Sequence, residues 1–536
     1  MCGFVFASEE RIGMKMFKES YDNIFHRGPD NQTIEESNGF WGFHRLSIMD
    51  LTSNGNQPFS HNGKKLVCNG EVYNFLHLKE LLKDSYEFRS ESDCEVLIPL
   101  YEKFGFEIML KMLDAEFVLV MYDEETGEIM AARDPIGIRP MFYGYDRIMG
   151  GICFASEAKG LIGFCDEVYP FPPGHYYKDG DFHLYYKNGE FHIYNDIADP
   201  KIIVDEPLDT VTEKIREKLE KGIAKRLHSD APMGFLLSGG LDSSLVCAVA
   251  QRYLDKKIKT FAIGMETDPI DLKYAREVAD FLGTDHTEVI MTKEDVLESL
   301  EKVIWHLETW DITTIRASIG MYLVCKYIHE NTDLKVLMTG EVSDEIFGYK
   351  YTDFAPCPEE FQKEAQKRIR ELYMYDVLRA DRVIAANSME ARVPFGDLNF
   401  VDYVMSINPE KKMNRYGKGK YSLRKAFEGL NYLPDSILYR EKAAFSDAVG
   451  HSMVDCLKEY AENKYTDEDL EKAEEKYPYR TPFTKESLLY RDIFEKFYPG
   501  HAHWIKDFWM PNRTWEGCDV DDPSARVLKN YGESGK

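Results

Sequence analysis

The stretch MGFLLSGGLDSSLVCAVAQRYL, Met233 to Leu254, limits the fold more than any other part of the chain. An apolar run with strand character meets a glycine turn, and a helical pattern begins at once. The unit then recurs. IKTFAIGM is a second buried strand, AREVADFLGTDHTEVIM reads as helix then strand, and LKVLMTGEVSDEIFGY repeats strand, turn and acidic helix start. Strands alternating with helices predict a doubly wound parallel sheet whose ligands sit at the carboxyl ends of its strands. Beyond Phe361 the pattern is mainly helical and charged.

The turn itself carries chemistry. Backbone amides from Ser238 to Asp242 can converge on an anion at a helix N-terminus, while Gly239 and Gly240 allow close approach and Ser238, Ser243 and Ser244 add hydroxyl donors. No lysine stands where GxxxxGK[ST] requires one, so a Walker-type NTPase is not indicated. A plain glycine turn with a capping serine explains Gly-Gly but not the run of polar and glycine positions around it. The formal charge of -27 argues against general nucleic-acid binding, which needs a basic face, yet leaves room for a local basic pocket.

The first 190 or so residues have a different texture. Short strands with turn signals, such as KKLVCNGEVYNF and AEFVLVMYDEETGEIMAARD, are interrupted by helical patterns at Met14 to Phe25 and Asp93 to Phe104, which predicts a layered α+β domain. The expected layout is a first domain over 2–190, an exposed linker over 191–209, a second domain over 210–515 and a loose tail over 516–536. At the N-terminus, Cys2 follows Met1. Trimming of Met1 would leave a thiol and an α-amine on one residue, with pKa values of about 8.5 and 8, so the amine can take the thiol proton. The ten cysteines form no CxxC and no Cys/His pairing. That argues against structural zinc and a disulfide framework, and it points, with the absence of a signal-peptide pattern, to the cytoplasm.

SGGLDSS resembles the pyrophosphatase loop of the N-type ATP pyrophosphatases at every position. CGF at the N-terminus, HRGPD (His26 to Asp30), HRLSIMD (His44 to Asp50), NGEVYN (Asn69 to Asn74) and SESDCEVL (Ser90 to Leu97) are similar, in the same order, to the class II glutamine amidotransferase domain. Together they resemble the glutamine-hydrolysing asparagine synthetases of the bacterial type, nearly to Pro499. The resemblance implies an N-terminal-nucleophile hydrolase domain of layered αββα form, followed by an α/β ATP pyrophosphatase domain with a helical C-terminal part.

Site roles follow from the same resemblance. In the glutaminase, Cys2 is the nucleophile, Asn69 and the Gly70 amide serve the oxyanion, Arg45 suits the glutamine carboxylate, and Asp93 with Glu71 suits its ammonium. In the synthetase, Leu237, Ser238, Gly239, Gly240, Asp242, Ser243, Ser244, Ile263 and Gly340 are expected at ATP. Asp242 and Asp344 are expected to hold Mg²⁺, Thr313, Thr314 and Arg316 to meet aspartate or its adenylate, Glu345 to take a proton from ammonia, and Lys442 to stand near departing pyrophosphate. The implied reaction converts glutamine, aspartate and ATP to asparagine, glutamate, AMP and pyrophosphate, in a homodimer without nucleic-acid or membrane partners.

The chain departs from the family pattern at Val342, Ala443, Ala444 and Ala448, at Asn387-Ser388 and at Gly396. A β-branched residue at Val342 would be strained if its turn needs a positive φ. These changes keep open an amidotransferase acting on a different carboxylate; a non-catalytic sensor of nucleotide and glutamine is opposed by the intact Cys2, Asp242, Glu345 and Lys442.

Overall fold

The computed structural model describes residues 1–178, 190–267, 269–415, 417–441 and 450–532. Two compact units emerge from its contacts. The first comprises 1–197 with 229–232 and 385–390; the second comprises 198–228, 233–384 and 391–536.

The first unit is built on two six-stranded antiparallel sheets. One sheet has the order β10-β8-β9-β1-β3-β2, from β1 (Gly3–Ala7), β2 (Asn31–Glu36), β3 (Phe40–Arg45), β8 (Phe142–Asp146), β9 (Ile152–Ala155) and β10 (Cys165–Pro170). The other runs β12-β11-β7-β6-β5-β4, from β4 (Phe59–His61), β5 (Lys64–Val72), β6 (Ala115–Asp123), β7 (Glu128–Arg133), β11 (His175–Lys178) and β12 (Glu190–Ile193). Side chains from both sheets, among them Phe4, Phe6, Trp41 and Phe154 from one and Val67, Val118, Val120 and Tyr177 from the other, fill a common core. Helix α1 (Met14–Asp22) packs on β1 and β3, α3 (Leu97–Phe104) packs on β5, and α2 (Phe75–Leu82) packs on the turn Cys94–Val96. Covered on both faces, β6 is buried at nearly every position, which explains its unbroken apolar run.

The second unit contains the expected parallel sheet, in the order β15-β14-β13-β16 with β17 (Glu390–Arg392) at the edge. Strands β13 (Met233–Leu236), β14 (Lys259–Met265), β15 (Asp285–Met291) and β16 (Val336–Met338) are joined by parallel ladders. The turn after β13 opens α4 (Leu241–Tyr253), and the turn after β16 opens a short helix, Ser343–Phe347. Both turns leave adjacent central strands at their carboxyl ends, so the strand order itself brings the two motifs together. Among the described residues no helix is long and apolar enough to cross a membrane.

Two boundary expectations are corrected. The span 191–209 is not one exposed linker. Glu190–Ile193 is a strand paired with β11, Ile197 and Ala198 are buried, and a helix begins at Leu208. The segment after 515 is not loose through residue 532 either, since Cys518 and Leu528 sit in a core with Tyr351, Phe361 and Trp515. Its polar and glycine-rich composition concealed these few apolar anchors.

Candidate functional site

In the first unit, the HRGPD motif frames the N-terminus. Arg27 is fully buried, donates from Nε to the Cys2 carbonyl at 2.9 Å and pairs through Nη1 with Glu157 at 2.7 Å. The motif thus holds the Cys2 backbone. Cys2 Sγ lies 3.6 Å from the Leu46 carbonyl, and burial pushes its thiol up to about 11. With Met1 in place, the α-ammonium belongs to Met1; it donates to the Met389 carbonyl at 3.0 Å, and burial lowers its pKa to about 5.

Across the two sheets β1 approaches β5, the strand carrying Asn69 and Gly70. Asn69 is 1% exposed, yet its Nδ2 donor has no hydrogen-bond partner among the described residues. An orphaned buried donor is costly, and a ligand oxygen would relieve it. A Cβ at Gly70 would lie 2.5 Å from the Glu116 carbonyl, so only glycine fits this backbone. Arg45 is buried and donates to carbonyl-type oxygens only: Thr52 O at 2.6 Å, Asn56 Oδ1 at 2.7 Å, Met49 O at 3.3 Å and Asp50 O. Among the described residues no carboxylate lies within ion-pair distance of it, so its charge is available to an anion. Asp93 accepts from the Val72 amide at 2.6 Å and is buried, as is Glu71.

In the second unit, one pocket gathers the synthetase candidates. Leu237, Ser238, Gly240, Asp242, Ser243 and Ile263 line it, as do Thr313, Arg316, Gly340, Asp344 and Glu345. The loop is internally braced: the Ser238 amide donates to Ser243 Oγ at 3.2 Å, and the Gly240 amide to Ser238 Oγ at 3.3 Å. Gly239 has φ +72° and does not line the pocket; a Cβ there would press on Tyr274 and Ala275 at about 2.5 Å. Its carbonyl accepts from Arg440 at 3.0 Å, and Arg440 also pairs with Asp271 at 2.9 Å.

Three expected residues stand differently. Ser244 is fully buried on its helix and outside the lining, and Thr314 donates its hydroxyl to Asp311, capping the helix Ile312–Asn331. Arg316 lines the pocket with its guanidinium already engaged by Glu486 at 2.5 Å and by Asp522 at 3.0 Å. Thr313 Oγ1, in contrast, is buried without a hydrogen-bond partner among the described residues. Lys442, Ala443, Ala444 and Ala448 lie outside the described residues.

The motifs did not disclose Lys420. It has φ +57°, is 4% exposed, and sends its ammonium to both Asp242 oxygens at 2.9 Å, to Ser343 Oγ at 2.9 Å and to Asp344 Oδ1 at 2.5 Å. The dense basic run GKGKYSLRK was the available signal. Asp376 and Arg379 were also missed. Burial, then the neighbouring Asp376 and Asp344 carboxyls, raise the Glu345 carboxyl well above its ordinary pKa, and Arg379 ties Asp376 to Glu341 at 2.7 Å each. The described lining holds seven carboxyl groups and six lysine or arginine cations, so the pocket is closely balanced rather than strongly basic.

Residues 1–175 match the glutamine amidotransferase domain family, and residues 214–362 and 356–520 match asparagine synthase. A glutamine amidotransferase domain thus stands in the first unit and an asparagine synthase domain in the second. Asparagine synthetase [glutamine-hydrolyzing] of Gallus gallus is 42% identical over 571 aligned positions, covering 99% of each chain. Those of Mus musculus and Homo sapiens are each 39% identical, covering 100% and 99% of both chains respectively. The chain belongs to the asparagine synthase family.

Proposed function

We propose that the chain makes asparagine from aspartate and ATP with ammonia drawn from glutamine. The observation that carries this reading is that residues suited to both half-reactions stand in one chain similar over its full length to glutamine-hydrolysing asparagine synthetases. Once Met1 is removed, the Cys2 α-amine takes the thiol proton, the sulfur attacks the glutamine amide carbon, and the same proton leaves with ammonia. Asn69 Nδ2 and the Gly70 amide donate to the oxyanion, Arg45 holds the α-carboxylate, and Asp93 with Glu71 holds the α-ammonium. Water then releases glutamate from the thioester.

In the second unit the loop Ser238 to Ser243 cradles the triphosphate, with Leu237, Ile263 and Gly340 around the nucleotide. The aspartate β-carboxylate attacks the α-phosphorus, and pyrophosphate departs toward Lys442. Thr313 offers its free hydroxyl to the adenylate and Arg316 its remaining face; ammonia attacks the acyl carbon, Glu345, having passed its own proton toward Asp376, takes one from the nitrogen, and the acyl–phosphate bond breaks to release AMP. Asp242, Asp344 and Ser343 offer hard oxygens that suit Mg²⁺, and phosphate oxygens of the nucleotide would complete its shell. When bound, the ion would neutralise charge building on the phosphates. Ten free cysteines support a reducing compartment such as the cytoplasm, and the assembly we infer is a homodimer.

Cys2→Ala tests the division of labour. Glutamine-dependent synthesis should vanish while ammonia-dependent synthesis persists; equal loss of both in a folded variant overturns it. Pyrophosphate release measured across other carboxylates separates aspartate from a different acceptor.

A further inference from the structure

Lys420 occupies the position that the metal reading reserves for a cation. Its ammonium contacts both Asp242 oxygens, Asp344 and Ser343 within 2.9 Å, and Ser343 in turn donates to Asp242 at 2.7 Å. Among the described residues the cluster joins two carboxylates, one hydroxyl and one monovalent charge. The lysine is held there by its backbone as well, since it begins the helix Tyr421–Phe427 with its own φ at +57°. Arg424, one turn on, lines the same pocket but spends its guanidinium on the Gly419 and Leu438 carbonyls, leaving Lys420 as the cation bonded to both carboxylates among the described residues.

We propose that Lys420 is an exchangeable counter-cation which keeps divalent metal out of the empty pocket and yields the carboxylates only when a triphosphate enters. The inference rests on the ATP and Mg²⁺ reading of this pocket. A divalent ion arriving alone must displace an ammonium that is already desolvated and fully coordinated, or share two carboxylates with it at repulsive range. A triphosphate changes the balance. Its oxygens give the flexible lysine side chain a stronger set of acceptors, the ammonium swings to them, and Asp242 and Asp344 become free to ligate the incoming metal. Metal and nucleotide therefore enter as a coupled pair, and by reciprocity each raises the other's affinity by the same factor.

Electron paramagnetic resonance with Mn²⁺ as the probe tests this on the full chain. For the wild type, Mn²⁺ affinity should rise at least tenfold when α,β-methylene-ATP is added. Lys420→Met, without nucleotide, should bind Mn²⁺ at least tenfold tighter than wild type, and adding Asp344→Asn to that variant should abolish the gain, locating the ion. Equal Mn²⁺ affinity with and without nucleotide in the wild type overturns the exclusion by Lys420 while leaving the metal site standing. No Mn²⁺ binding in either arm overturns the metal reading itself. If Lys420→Met does not fold, Lys420→Gln takes its place in the nucleotide-free arm, and Lys420→Arg should preserve the exclusion.

Discussion

Val342 holds a left-handed backbone, φ +82°, immediately before Ser343, whose hydroxyl reaches Asp242 at 2.7 Å across the pocket. A β-branched residue in this region is strained by about 1–3 kcal/mol, and the strain sits at the turn that aims Ser343, Asp344 and Glu345. The valine also contributes in the other direction, because its side chain is 1% exposed.

These opposed terms make the first prediction a comparison. Val342→Gly relieves the strain but loses the buried side chain, about 2 kcal/mol, and adds unfolded-state entropy, so it should lie within about 1 kcal/mol of wild type. Val342→Ala loses most of the burial and keeps positive φ. The glycine variant should therefore be more stable than the alanine variant by about 1 kcal/mol, the reverse of their usual order. Urea melts of the pair measure it. An alanine variant of equal or greater stability would mean that the turn carries no strain.

The unpartnered Asn69 Nδ2 gives the second prediction. If it serves a developing oxyanion, Asn69→Ala should lower kcat for glutamine hydrolysis about 10²–10³-fold, with little change in KM and ammonia-dependent synthesis intact. Removing an orphaned buried donor should not cost stability. A large drop in Tm with unchanged kcat would instead mark Asn69 as a structural residue.

How legible this was varied with the length of the signal. The strand–turn–helix at Met233 to Leu254 and the hairpin Ala115 to Arg133 are long periodic runs whose burial follows directly from apolar pattern. Asn31–Glu36, an edge strand with polar and half-exposed side chains, offers no such alternation and was not anticipated; nor was Phe75–Leu82, whose start overlaps a motif read as strand and turn. In the sites, motif residues were found because their chemistry is local. Lys420 is 178 positions from Asp242, and Arg316 meets Glu486 across 170, so no spacing rule could link them. Charge alone marked such residues as surface, whereas tertiary pairing buried them.

Lys412 supplies the third prediction. It is 1% exposed, and its ammonium has two carbonyl acceptors, Gln362 Oε1 at 3.1 Å and Val404 O at 3.0 Å, with the Phe361 ring 6.0 Å away. Burial lowers its pKa from 10.5 to about 7. The unfolded chain therefore binds the proton more tightly than the folded one between these values. Stability from this group is present above pH 10.5 and is lost as pH falls through about 7. Lys412→Met, which cannot charge, should be more stable than wild type at pH 6 by on the order of 3 kcal/mol, after allowance for the two lost hydrogen bonds. The gain should shrink as pH rises and disappear near 10. Parallel melting curves with no pH-dependent gap would show that the site does not desolvate the ammonium.

Arg316 supplies the fourth. Its guanidinium is 3% exposed and forked between Glu486, itself 4% exposed and bonded by Tyr490, and Asp522, which also pairs with Lys458 at 2.6 Å. Burial alone would raise the Asp522 pKa, but hydrogen bonds from Arg316 and Lys458 outweigh it and hold that carboxyl well below the usual range. Arg316→Met strips the cation from the buried Glu486 and the half-buried Asp522 and should cost about 3–5 kcal/mol at neutral pH. Asp522 can still use Lys458, so the greater part of the loss belongs to Glu486. Adding Glu486→Gln should recover most of it, because a neutral amide accepts from Tyr490 without leaving a buried charge. Thermal melts of wild type, single and double variants test both signs, and a double variant no better than the single would place the cost in lost packing around Arg316 rather than in the unpaired carboxylate.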